Sequence, residues 1–340
     1  MNYLSFVKGK FSSFKGAETS LLKGGAGAFL INGFSAVLVL VLNIVFARLL
    51  GEAEYSHYAY AFTLVVLLYT SSNLGFDVTA QRFVSALSAT SSYALARGFV
   101  RLACYAVVVT SSIAAICLLG YVIIFGDSMS AGLSGGLFWA AVSLPINALL
   151  LLMASFLKGL KKPIVAAYPR ALLRPIFLIG ITAFLFLSSD PLSFDGKLAM
   201  QLELLVAIFL LVISCYLFRK NSRFLFAQGE YKFESRYWFS VAIPCFIVGT
   251  CQLAIRSVDI LLLGYLSGVE SVGAYTAASR IAQLSAFGLM AINGVLPALA
   301  SELYVNKKMA ELQRLSNLAA LGSVLFSVII FLFVVVFGHQ

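Results

Sequence analysis

Five residues of one apolar stretch, Cys245, Gly249, Gln252, Arg256 and Asp259, recur at spacings of three and four, which sets them on one stripe of a helix. Burying a charge at membrane depth is costly, so a charged group there faces a cavity or a partner and marks function. Arg256 and Asp259 are also close enough to pair with each other. Two roles are therefore open for the stripe: the wall of a polar cavity, or an inert ion pair that pins one helix to its neighbours. The next apolar stretch repeats the pattern with Thr276, Arg280 and Gln283.

Arg170 and Arg174 stand one helical turn apart near the start of another apolar run. Paired guanidinium groups suit phosphate, because each offers a planar fork of donors; the plainer role is a basic anchor at the membrane surface. Asn32 and Asn43 lie eleven residues apart on one side of the first run. They suit a polar cavity wall or hydrogen-bonded glue between helices. Asp77 and Arg82 close the second run as a gate pair or as rim residues, and Pro169, Pro175 and Pro244 interrupt backbone bonding near helix starts.

The elements that must position these groups are membrane helices. Of 340 residues, 61% are hydrophobic and 11% charged, far from the composition of a soluble domain. The net charge of +10 is spread in short segments between apolar runs, which argues against nucleic acid as a partner. Two histidines, His57 and His339, and five cysteines inside apolar runs without CxxC spacing leave no metal site, disulfide framework or catalytic triad to build. No enzyme chemistry is expected, and no cofactor.

The expected fold is an all-α polytopic membrane protein with about nine transmembrane helices. The runs are 26–50, 58–75, 102–124, 133–157, 164–187, 198–218, 239–265, 272–296 and 315–337. Twenty of the 24 Lys and Arg residues fall in segments 8–23, 82–101, 158–174, 219–236 and 307–314, alternating with nearly uncharged loops. By the positive-inside rule this sets the N-terminus in the cytoplasm. Loops on the far side are short, so activity belongs within the bundle or at its cytoplasmic rim. Residues 221–237 mix Phe224, Phe226, Tyr231, Phe233 and Tyr237 with Arg223, Lys232 and Arg236, the composition of an amphipathic interfacial helix. The basic, aromatic stretch from Phe6 to Lys15 is of the same kind.

Internal duplication is also legible. Gly51 and Tyr58 after the first run align with Gly268 and Tyr275 after the seventh at a constant offset of 217. Bundles built from repeats carry substrates between the repeats. The expected division is a six-helix N-terminal lobe over 1–222, an interfacial linker helix over 223–238, and an incomplete second lobe of three helices over 239–340. On that arithmetic a second copy needs about a hundred residues more.

The segments "ARLLGEAEYSHYAY", "FLKGLKKPIVAAYPRALLRP" and "DILLLGYLSGVESVGAYTAASRIAQL" resemble the polysaccharide-export branch of the multidrug/oligosaccharidyl-lipid/polysaccharide exporter superfamily, over essentially the whole chain. Ser56 stands where that pattern has Gly, whereas Gly273 keeps it in the second copy. The resemblance implies a bacterial inner-membrane flippase that moves undecaprenyl-pyrophosphate-linked oligosaccharide repeat units, for O-antigen or capsule, by alternating access. It implies a polyprenyl-pyrophosphate-linked oligosaccharide as substrate, and a polysaccharide polymerase and chain-length regulator as partners besides the membrane lipids. Arg256, Arg280, Asn43, Gln252, Gln283, Arg170 and Arg174 become the candidates for the substrate cavity, and Asp259 the candidate for a coupled proton or sodium ion. The alternatives are a multidrug or lipid-precursor exporter of the same superfamily, disfavoured by the arginines, and a membrane-embedded polymerase or ligase, disfavoured by the short outer loops.

Overall fold

The computed structural model describes residues 3–187, 194–222, 229–293 and 309–337; side chains are described from residue 31 onward, with Asn32 and Arg256 among the exceptions. Among the described residues every regular element is a helix: α1 (Tyr3–Ser72), α2 (Phe76–Ala89), α3 (Tyr93–Phe125), α4 (Ala131–Gly159), α5 (Pro163–Tyr168), α6 (Arg174–Leu187), α7 (Gly196–Asn221), α8 (Ser235–Leu266), α9 (Val272–Asn293) and α10 (Met309–Phe337). A five-residue π turn, Pro169–Leu173, joins α5 to α6.

Six helical segments among the described residues are long and apolar enough to cross a membrane, which makes the chain a multi-pass membrane protein. The sequence runs number nine. The difference has two sources: the first two runs share one continuous segment, Gly33–Ser72, and the last two fall partly on residues or side chains outside the described set. The shared segment is 40 residues, about 60 Å of helix against a hydrocarbon core of roughly 30 Å. It is broken at Gly51, whose φ of 73° is left-handed. The chain doubles back there. Tyr55 hydrogen-bonds Asn43 at 3.1 Å and the rings of Phe46 and Tyr58 meet at 5.1 Å, whereas twelve residues of straight helix separate side chains by about 18 Å.

Contacts divide the chain into one unit of residues 38–277 and another formed by residues 1–37 and 278–340. In the first, α4 is the axis: it packs on α2, α3 and α7, and buries Ala140, Ala141, Leu144, Ala148, Leu152 and Phe156. Small residues at such contacts let helix backbones approach where lipid supplies no hydrophobic drive. At the end where α2, α4 and α7 finish, Phe99 is the hub of an aromatic cluster with Phe76, Phe83, Phe156 and Trp238, at ring separations of 5.2 to 6.5 Å.

The linker departs from the expected amphipathic helix. Residues 229–234 are not helical, residues 223–228 lie outside the described set, and α8 begins at Ser235. The physical reason lies on α3. The Lys232 N–H donates to the Ala94 carbonyl at 3.1 Å, and a Cβ on Gly98 would come within 1.9 Å of the Lys232 carbonyl oxygen. The segment is a strap that lies against α3 and gives its Lys232 N–H to that helix rather than to a turn of its own.

Candidate functional site

The second arm of α1, residues 52–72, carries Tyr58, Phe62 and Tyr69, and the spacing of four and seven sets them on one face. Arg174 and Arg170 lie against that face. Arg174 sits over the Phe62 ring, 4.6 Å from its centroid, and Arg170 over the Tyr69 ring at 5.3 Å. From α7 comes Glu203, buried at 6% exposure, which accepts from Arg174 Nε at 3.0 Å and Nη2 at 2.5 Å and from the Tyr58 hydroxyl at 2.8 Å. A fork on a carboxylate with a third donor satisfies a charge that would otherwise be prohibitive at this depth.

Arg170 is placed differently. It donates to the Tyr69 hydroxyl, and among the described residues no carboxylate lies within ion-pair distance of it. Lys158, at the end of α4, is within electrostatic reach of both Arg170 and Asp77. Burial pushes the Asp77 carboxyl above its usual range, against its backbone hydrogen bonds and Lys158, which pull it down. The local sequence explains how two arginines four apart diverge. Pro169 has no N–H to give and Pro175 none either, so the helix widens between them into the π turn, closed by the Arg174 N–H on the Pro169 carbonyl.

A second cluster closes the opposite end of this unit. Gly51 and Gly268, aligned by the repeat, share one backbone conformation, φ 73° and 85° with ψ 176° and 150°. Their followers meet in space: Ser56 Oγ has its one proton between the Glu52 carbonyl at 2.7 Å and the Glu270 carbonyl at 2.8 Å, and it accepts from the Gly273 N–H at 2.9 Å. Ser56 and Gly273 are themselves a repeat pair. Any side chain on Gly273 would collide with the Ser56 hydroxyl, since a Cβ there lies 2.3 Å from it. Beside them, Glu54 accepts from the Gly196 N–H at 2.8 Å and lies 3.3 Å from His57 Nδ1, while Ser130 Oγ is 2.9 Å from His57 Nε2. The first turns of that arm thus clasp the starts of α4 and α7 on one side and the α8–α9 turn on the other. A cavity of about 540 Å³ near this end is lined by Tyr60, Leu64, Leu118, Tyr121, Leu133 and Tyr265, with no charged residue.

The remaining sequence candidates fall elsewhere. Asn43 bonds its own helix at Val39 and receives the Tyr55 hydroxyl, so it ties the two arms of α1. Gln252 and Asp259 are exposed on α8, and Asp259 accepts from the Tyr275 hydroxyl at 2.6 Å. The side chains of Asn32 and Arg256 lie outside the described set. Arg280 and Gln283 belong to the other unit. Sequence reasoning passed over Glu203, although a lone carboxylate inside the run 198–218 is the same signal that singled out Arg256. Tyr58 stands out in the sequence only through its repeat alignment with Tyr275, Tyr69 carries no signal of its own, and Lys158 reads as one more basic residue at a helix end. The described residues hold no grouping of His, Cys, Asp and Glu able to ligate a metal.

The model of the polysaccharide biosynthesis protein family matches residues 21–302. No curated protein and no solved structure matches the chain.

Proposed function

Because the chain belongs to the polysaccharide biosynthesis protein family, we propose that it is a flippase that moves polyprenyl-pyrophosphate-linked oligosaccharide across the bacterial inner membrane, without covalent chemistry. The observation that carries this reading is the contrast between two neighbouring arginines. Arg174 is neutralised by Glu203, whereas Arg170, four residues away, keeps a half-buried charge that among the described residues meets the Tyr69 hydroxyl and the field of a second cation, Lys158, with no carboxylate in ion-pair distance. A cation at membrane depth without a carboxylate partner calls for an anionic ligand, and a guanidinium offers phosphate two parallel donors.

Basic residues gather at the end of the bundle where α4 finishes, and by the positive-inside rule that end faces the cytoplasm. Arg170 then stands on the path from the leaflet where lipid-linked sugars are made, and the Ser56–Gly273 closure shuts the outer end. Loading from the inside with the outer end shut is one half of an alternating-access cycle. The released substrate passes to a polymerase and chain-length regulator outside, and a proton or sodium ion at Asp259 supplies the drive.

The test is complementation of a flippase-deleted host by the full chain. Arg170→Gln, at equal membrane expression, is expected to abolish surface polymer, and Arg170→Lys to restore part of it, since the charge survives without the fork. Wild-type polymer in Arg170→Gln overturns the assignment.

A further inference from the structure

Two backbone groups of the strap at residues 229–234 are bonded by α3. Lys232 N–H bonds Ala94, and Arg97 Nη2 donates to the Glu230 carbonyl at 3.1 Å. Its side chains are turned to other use. Tyr231, Phe233 and, on the first turn of α8, Tyr237 are about half exposed, and Lys232 and Arg236 between them are exposed as well. Arg101, also exposed, extends from α3 over the Tyr231 ring, 5.3 Å from its centroid. Among the described residues, Arg101, Lys232 and Arg236 have no carboxylate within ion-pair distance. Acidic groups on the strap are Glu230 and Glu234, against four cations counting Arg97.

Depth decides what this patch can meet. Helices long and apolar enough to cross a membrane begin at Tyr93 and at Ser235, and the apolar runs inside them begin at 102 and 239, so the strap lies where two helices enter the bilayer. Arg101 is the residue of α3 just before the apolar run 102–124. Three large aromatic side chains left half open are poorly placed in water, and a guanidinium is poorly placed in hydrocarbon; the headgroup layer suits both at once. We propose that Arg101, Lys232 and Arg236, with Tyr231, Phe233 and Tyr237, form a binding site for the headgroup of an anionic phospholipid. The guanidinium of Arg101 forks onto the phosphate diester, Lys232 and Arg236 add charge, and the rings lie along the glycerol and upper acyl chains. Nothing in the site depends on what the chain transports.

The test uses the full chain purified in detergent, with bound lipid read by native mass spectrometry during titration with phosphatidylglycerol or phosphatidylcholine of identical chains. Phosphatidylglycerol is expected to bind at least tenfold more tightly. Each basic residue near the surface is worth about fivefold, so Arg101→Gln should cut the preference about fivefold and the triple variant with Lys232→Gln and Arg236→Gln should erase it. If the triple variant fails to fold, Lys232→Gln and Arg236→Gln singly carry the test, and each must lower the preference. Water-soluble glycerophosphoglycerol should not compete, because it lacks the chains that the rings contact. Equal binding of the two lipids, a preference that survives the substitutions, or competition by the soluble headgroup overturns the proposal.

Discussion

Replacing Glu203 with Leu removes the only carboxylate on Arg174 among the described residues and strands a guanidinium over the Phe62 ring. Breaking a buried ion pair from one side costs about 3 to 5 kcal/mol. A shift of that size lowers the folded-to-unfolded ratio more than a hundredfold. Replacing Arg174 with Leu alone strands the carboxylate instead, with Tyr58 as its one remaining donor, and costs a similar amount. The double variant Glu203→Leu/Arg174→Leu leaves neither charge, and a well-packed apolar pair in that place is close to neutral. Thermal unfolding of the detergent-purified chain, followed by loss of the monodisperse peak in size-exclusion chromatography, reads all three. Both single variants should melt far below the parent and the double variant near it. Transport separates roles further: the double variant should still complement a flippase-deleted host, because Arg170 and not Arg174 is assigned to the ligand. Single variants as stable as the double would refute the buried pair, and a stable double variant without transport would return Arg174 to the substrate path.

Two further outcomes follow from the same geometry. Ser56→Ala deletes a donor to Glu270 and an acceptor for Gly273, a loss of about 1 to 3 kcal/mol when the partners are left unpaired. Amide exchange across residues 267–273 should then quicken by fivefold or more, and unchanged exchange would show that the hydroxyl closes nothing. The Asp77 carboxyl is raised by burial, so the folded state holds its proton more firmly than the unfolded state does. Stability therefore falls as pH rises from the usual carboxylate range through the folded value. Asp77→Asn should stabilise the chain at neutral pH, and the gain should vanish once pH drops below that range; a gain that is independent of pH would refute burial as the cause.

Membrane class was open to reading along the chain because it is local. Apolar run length answers to bilayer thickness, and Gly51 and Gly268 both take the left-handed turn that their alignment suggests. Local, too, is the pair of prolines that widens the helix between Arg170 and Arg174. What each arginine does is not local. Arg174 is spoken for by Glu203, 29 residues on, and Glu203 in turn by Tyr58, 145 residues back; no period of 3.6 relates such positions. The strap lies against Gly98, more than 130 residues earlier, whose missing side chain admits the Lys232 backbone. Ser56 and Gly273 were visible as a repeat pair, and only folding showed that the two members touch. Residue type and spacing set which faces are apolar and where the chain can turn. Which charges remain unbalanced, and so able to hold a ligand, depends on the partners that packing brings within about 3 Å, and that was decided in three dimensions.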